Sequence, residues 1–254
     1  MDRRLHKKND EPIEIINFDQ FIPDQYKLKS LNRHVDVPQH PAMCLLSAST
    51  GGGKTNLLLN ILMQMVVHKL YIFTRDTSED KYLFLRDLFT EINDAHNDFT
   101  GSSRPLTAIF ELHSGLTKLP DIENINKDIQ NVIVFDDLVT GNSVETNTIK
   151  KMYTLVRKRN CSLFFLSQDF FLTDKTIRRN CHNVYLFDSS SNKEIRAVCD
   201  DLAKGFDFDV FKKMYLKALS EPFSFLTINN LKHDPKDKFR IKLSGRFEDK
   251  YFLP

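Results

Sequence analysis

Gly51-Gly52-Gly53-Lys54-Thr55 is the run whose residue types and spacing point most directly to chemistry. With its flank, "SASTGGGKT" fits the phosphate-loop pattern G-x-x-x-x-G-K-[ST] everywhere but at the first position, where Ala48 replaces glycine. Glycines let backbone N–H groups approach a phosphate chain, and a helix beginning there adds its positive end. Ser49, Thr50, Gly51, Gly52, Gly53 and Asn56 are the expected cradle, with Lys54 reaching the β- and γ-phosphates of ATP. The Thr55 hydroxyl is offered to Mg²⁺. Alanine is the smallest departure from glycine and is tolerated if residue 48 needs no positive φ. A chance glycine-rich turn is the bland alternative.

Two further segments could complete a hydrolytic site. "NVIVFDD" runs an apolar stretch into Asp136 and Asp137. The first carboxylate at such a strand end is placed to hold Mg²⁺, usually through water, and the second to polarise an attacking water. Asp137 could instead cap the following turn. "SLFFLSQDF" ends another apolar stretch in Ser167-Gln168, and an amide there can orient or sense the water beside a γ-phosphate. The plain reading of Gln168 is a polar residue at a strand end.

Positioning these residues requires a parallel sheet with helices on both faces. Continuous apolar runs, as strands covered on both sides require, fall at 42–48, 70–75, 131–136, 162–167 and 183–187, with a weaker one at 106–112. Residues 56–68 and 145–158 read as helices; in the second, Ile149, Met152, Tyr153 and Val156 share one face. "SNKE" at 191–194 has the form of a capping box, so a helix starts there. "FSFLTIN" and "KFRIKL" around "HDPKD" suggest a closing β-hairpin. The expected organisation is an extension over 1–40 and one α/β domain over 41–254.

Bulk properties narrow the class. A net charge of +2 gives no global field for nucleic acid, so such binding would need local patches or several subunits together. Cys44, Cys161, Cys181 and Cys199 show no metal or redox spacing and read as reduced, buried thiols. No apolar run approaches the ~18 residues of a membrane span, so a soluble intracellular protein is expected.

"SASTGGGKTNLLL", "VIVFDDL" and "YTLVRKRNCSLFFLSQDFFLTDKTIRRNCHNVYLF" together resemble the FtsK–HerA superfamily of ring-forming ATPases. More closely, they resemble the genome-packaging ATPases of the poxvirus and virophage type. The resemblance spans about residues 41 to 190, and its third segment is the specific one. It implies a RecA-like (ASCE) phosphate-loop core and a homo-oligomeric ring, pentameric or hexameric. It further implies translocation of double-stranded DNA into a preformed capsid, with capsid or portal-vertex proteins as partners. The expected location is the host cytoplasm or viral factory, with possible association with the virion. Carried over by position, Asp136 is the metal carboxylate, Asp137 the water-activating one and Gln168 the sensor. Arg157 is then the residue reaching a neighbouring subunit's site, with Arg159 as its rival; a solvated basic face is the alternative. Arg178 and Arg179 could be interface or DNA contacts, or surface residues. The loop 138–147 could face a channel. A ring helicase, a nucleotide-dependent kinase and a poorly hydrolysing scaffold are the competing functions; the kinase would need a lid and an acceptor pocket, and no arginine-rich lid segment follows the fourth strand.

Overall fold

The computed structural model describes residues 34–100, 109–138, 143–188 and 191–252. Its centre is an eight-stranded sheet: β1 (Met43–Ser47), β2 (Lys69–Thr74), β3 (Ile109–Ser114), β4 (Asn131–Asp136), β5 (Cys161–Ser167), β6 (Asn183–Leu186), β7 (Leu226–Asn229) and β8 (Phe239–Ile241). The order is β3-β2-β4-β5-β1-β6-β7-β8. Pairings from β3 through to β6 are parallel, and β6-β7 and β7-β8 are antiparallel.

The strands predicted from continuous apolarity are the buried centre of this sheet. Every residue of β1, β4 and β5 is buried. Alternation along them feeds two separate cores. Leu45, Ile133 and Phe165 pack with α3 (Ser143–Leu155), α4 (Lys175–Asn180), α5 (Asn192–Leu202) and α6 (Phe208–Ala218). Cys44, Val132 and Phe164 pack with α1 (Lys54–Met63) and α2 (Asp80–Thr100). Covering both faces in this way is what an all-parallel central region requires. The four cysteines are free and buried, which raises the pKa of each thiol.

Several elements differ from expectation. α1 begins two residues earlier than predicted and ends at Met63, since His68 and Lys69 already pair with Gln130 as β2 begins. α2 was not predicted; it sets Tyr82, Leu85 and the half-buried Phe89 against the core, while the exposed apolar residues Phe84 and Ile92 blur its helical pattern. α4 and α6 were also unpredicted, although α6 buries Phe211, Met214, Tyr215 and Ala218 at regular helical spacing. The predicted loop 138–147 is shortened by α3, and its residues 139–142 lie outside the described residues. The strand expected at 106–112 is β3, displaced toward the C-terminus.

α5 starts where "SNKE" predicts, with Ser191 at the N-cap. The Glu194 carboxylate accepts the backbone N–H of Phe170 at 2.9 Å, tying this helix to the loop after β5. The closing hairpin is β7–β8, with α7 (Pro235–Lys238) in its connection, capped by the Asp234 carboxylate. Of the extension expected at 1–40, residues 1–33 lie outside the described residues. Residues 34–40 pack on the body: Arg240 pairs with Asp36, and His40 bonds to Asn160 and Ser162.

The borders of the sheet are unlike its centre. On β3, Glu111 pairs with both Lys69 and His113 at 2.9 Å. β8 has three residues and turns back on itself through a bridge from Ile241 to Gly245.

Candidate functional site

Topology assembles what the sequence leaves scattered. β5 lies between β1 and β4, so the loop after β1, the Asp136-Asp137 pair after β4 and Gln168 after β5 open at one end of the sheet. A crevice at the C-terminal ends of parallel strands is the usual ligand position in such folds.

In the loop, Gly51 and Gly53 have φ of 76° and 102°, a left-handed backbone that favours glycine. Gly52 is required for another reason. A Cβ there would stand 2.9 Å from the Ala48 Cβ and 3.0 Å from the Ser49 carbonyl oxygen. Ala48 itself is unstrained: it has no positive φ, and its N–H donates to the Ser167 carbonyl at 3.1 Å, extending the β1–β5 pairing. Alanine thus replaces glycine at the loop's first position without backbone cost, its methyl filling the space against Gly52.

Lys54 Nζ donates to the carbonyls of Ala48 at 2.6 Å and Ser49 at 3.1 Å. Burial lowers its pKa, and Asp136, Asp137 and Glu79 oppose that shift. Asp136 is 8% exposed, and burial raises its carboxyl to about 6. The Tyr82 phenol donates to Asp136 Oδ2 at 2.6 Å and limits that rise. Burial and the adjacent carboxylate keep the phenol protonated well above its ordinary range, and the Thr55 hydroxyl lies within hydrogen-bonding reach of it. Asp137 has φ of 51°, its N–H donating to Leu166 at 3.1 Å; Gln168 Nε2 donates to its Oδ2 at 2.6 Å.

These groups face one cleft of about 400 Å³, a volume typical of small-ligand sites. Thr50 to Asn56, Asp136, Asp137 and Gln168 all line it. Ser49 does not; it contributes the carbonyl that holds Lys54. Thr74, Arg75, Asp76, Glu79 and Lys81 line the cleft and were not predicted. β2 pairs with β4 in a register that sets Thr74 beside Asp136, so the turn after β2 meets the site. Nothing in the local sequence of Tyr82 or Glu79 signals that meeting; only strand order does.

Arg157 lies elsewhere. It is exposed in the 3-10 turn Val156–Arg159 that leads into β5. The seven residues of β5 separate that turn from Gln168, about 20 Å at the usual rise per residue. Its charge adds to burial in lowering the pKa of His182 to about 4, and His182 bonds the backbone of Met43 where β1 begins. Arg157 is therefore at the far end of the sheet from its own cleft, with the half-buried Arg159 in the same turn. Arg178 is not a surface residue: it is 9% exposed, pairs with Asp201 at 3.1 Å and lies over the Phe170 ring.

Among solved structures, the chain is similar to the genome packaging NTPase B204 from Sulfolobus turreted icosahedral virus 2. The form with sulfate aligns at a TM-score of 0.51 and 14% identity, covering 82% of this chain and 98% of that one. The form with AMPPCP gives 0.50 and 12% over the same shares. VirB4 of Thermoanaerobacter pseudethanolicus aligns at 0.49 and 10%, covering 83% and 90%. The likeness to B204 is one of fold, and that fold is the RecA-like phosphate-loop core predicted from the sequence. No family model matches the sequence, and no curated protein matches it.

Proposed function

We propose that this chain binds and hydrolyses ATP, and that it does so as one subunit of a ring that drives double-stranded DNA into a viral capsid. The hydrolytic part rests on one observation: the Gln168–Asp137 hydrogen bond stands in the same cleft as Lys54, Thr55 and Asp136. A site that only bound nucleotide would have no use for a carboxylate–amide pair at that position.

The donor set suits Mg²⁺, which takes hard oxygen ligands and keeps several waters. The Thr55 hydroxyl and Asp136 carboxylate are such ligands, and the Tyr82 phenol holds Asp136 in place. Bound there, the ion would neutralise charge on the β- and γ-phosphate oxygens. Lys54 exchanges the Ala48 and Ser49 carbonyls for those oxygens. Asp137 accepts the proton of a water that attacks the γ-phosphorus, and the products are ADP and phosphate. Gln168, held at 2.6 Å from Asp137, orients that water. Positioning and charge stabilisation are the main work in phosphoryl transfer, and these residues supply both.

Translocation and packaging draw on other support. The specific third segment resembles packaging ATPases, and the structural neighbour with AMPPCP is named a genome packaging NTPase. Arg157, exposed and remote from its own cleft, is available to a neighbouring copy's cleft. The assembly would act in the host cytoplasm, where capsids fill; among the described residues no helix is long and apolar enough to cross a membrane.

The test is ATP hydrolysis with and without double-stranded DNA. Wild type is expected to hydrolyse ATP faster with DNA, and Lys54→Ala to lose at least ~10²-fold in kcat as a charge clamp on the phosphates is removed. Stimulation by single-stranded but not duplex DNA would favour a helicase. Transfer of phosphate to a small acceptor, independent of DNA, would overturn the motor reading.

A further inference from the structure

Phe170 stands two residues beyond Gln168, fully buried, and is held at both backbone polar groups and on its ring. Its N–H donates to Glu194 Oε1 at 2.9 Å. Its carbonyl accepts from Arg178 Nη1 at 3.4 Å, and the same guanidinium lies 4.6 Å from the ring centroid. Both holds lead to one helix. Glu194 is in the first turn of α5, and Asp201, which pairs with Arg178 at 3.1 Å, lies near its other end. Seven residues separate the two carboxylates, close to two helical turns, so they share a face of α5.

The chain between Phe170 and the phosphate cleft is short and internally braced. Ser167 Oγ donates to the Asp169 carbonyl at 2.7 Å, and the Phe171 N–H donates to the Asp169 carboxylate. On the strand side, Ser167 and Leu166 are fixed by pairing with β1 and β4. A displacement of Phe170 must therefore be taken up at Gln168, whose amide reaches Asp137 at 2.6 Å. Lys54 and Thr55 are set apart from this arrangement. They belong to α1, which packs on the face of the sheet opposite α5.

We propose that Glu194 is a positioning residue for hydrolysis: by holding Phe170 from α5 it keeps the Gln168 amide against Asp137. Arg178 and Asp201 form the second point of the same hold. This role rests on the ATP-hydrolase reading and deepens it, since whatever displaces α5 would also displace the group that orients the attacking water. A glutamate that served only the start of α5 would affect stability and leave the chemical step alone.

Steady-state ATP hydrolysis by the full chain separates the two roles. Arg178 is not the residue to remove, because its loss would leave Asp201 unpaired and largely buried. Glu194→Ala is expected to lower kcat about tenfold with KM little changed, as a misplaced amide weakens the reaction without touching phosphate binding. Glu194→Gln keeps an accepting oxygen and should recover most of that loss. In a Gln168→Ala background, Glu194→Ala should lower kcat hardly further, because the group it positions is already gone. Should Glu194→Ala fail to fold, Glu194→Asp, one methylene shorter, takes its place in the same comparison. Unchanged kcat, no recovery in Glu194→Gln, or an equal loss with and without Gln168 would overturn the positioning role and leave the hydrolase reading standing. A wild-type chain that does not hydrolyse ATP would overturn both.

Discussion

Asp136 is held under two opposing demands. Its proposed work requires an ionised carboxylate, yet burial raises the group from 3.8 to about 6. Between those values the folded protein binds a proton that the unfolded chain has released. This residue's contribution to stability therefore falls as pH rises through that window and stays low above it. Asp136→Asn removes the buried charge while leaving an oxygen for the Tyr82 phenol. We expect it to stabilise the fold by roughly 1–3 kcal/mol at pH 8, from about two pKa units at 1.36 kcal/mol each, and far less at pH 4. Urea unfolding at the two pH values measures this, and ATP hydrolysis should vanish in the same variant. A variant no more stable than wild type at pH 8 would refute the strain assigned to Asp136.

Between β1 and α1 the loop's shape depends on a trade between two positions. Ala48 fills the space that Gly52 leaves open, so Gly52→Ala forces two methyl carbons to 2.9 Å. Overpacking of this kind costs about 1–3 kcal/mol, readable by denaturant midpoint, and the distorted loop should also bind nucleotide more weakly. Adding Ala48→Gly should recover only part of the loss, since the Ser49 carbonyl still stands at 3.0 Å. Full recovery would show that the carbonyl contact is immaterial. The same elements show what a sequence can disclose. The buried strands were legible because parallel pairing demands unbroken apolarity, and Lys54, Asp136 and Gln168 were legible because each ends such a strand or opens the next helix. α2 was hidden by apolar residues such as Phe84 and Ile92 that stay exposed and blur its periodicity, and Tyr82 by distance: it meets Asp136 only because β2 lies beside β4. Arg178 misled for a related reason. In "TIRRN" two adjacent arginines look alike, and only Asp201, 23 positions onward, shows that one of them faces inward.

At the scale of the whole molecule, a single copy keeps Arg157 and its cleft at opposite ends of the sheet, so the catalytic role proposed for Arg157 needs another copy. Arg157→Ala should hydrolyse ATP slowly when alone, as should Lys54→Ala. Mixed in one assembly, they should regain part of the wild-type rate, because some interfaces pair an intact arginine with an intact loop. Steady-state hydrolysis across mixing ratios reads this, and no recovery in confirmed co-assemblies would remove Arg157 from the mechanism. How copies can meet is limited by the borders of the sheet. On β3, Glu111 and His113, paired with each other and with Lys69 of β2, would set polar and charged side chains beside an incoming strand, and β8 is too short and too quickly turned to template one. Among the described residues neither margin invites backbone zippering, so these borders let copies crowd together without their sheets fusing and leave side chains of helices and loops to mortar any assembly of them.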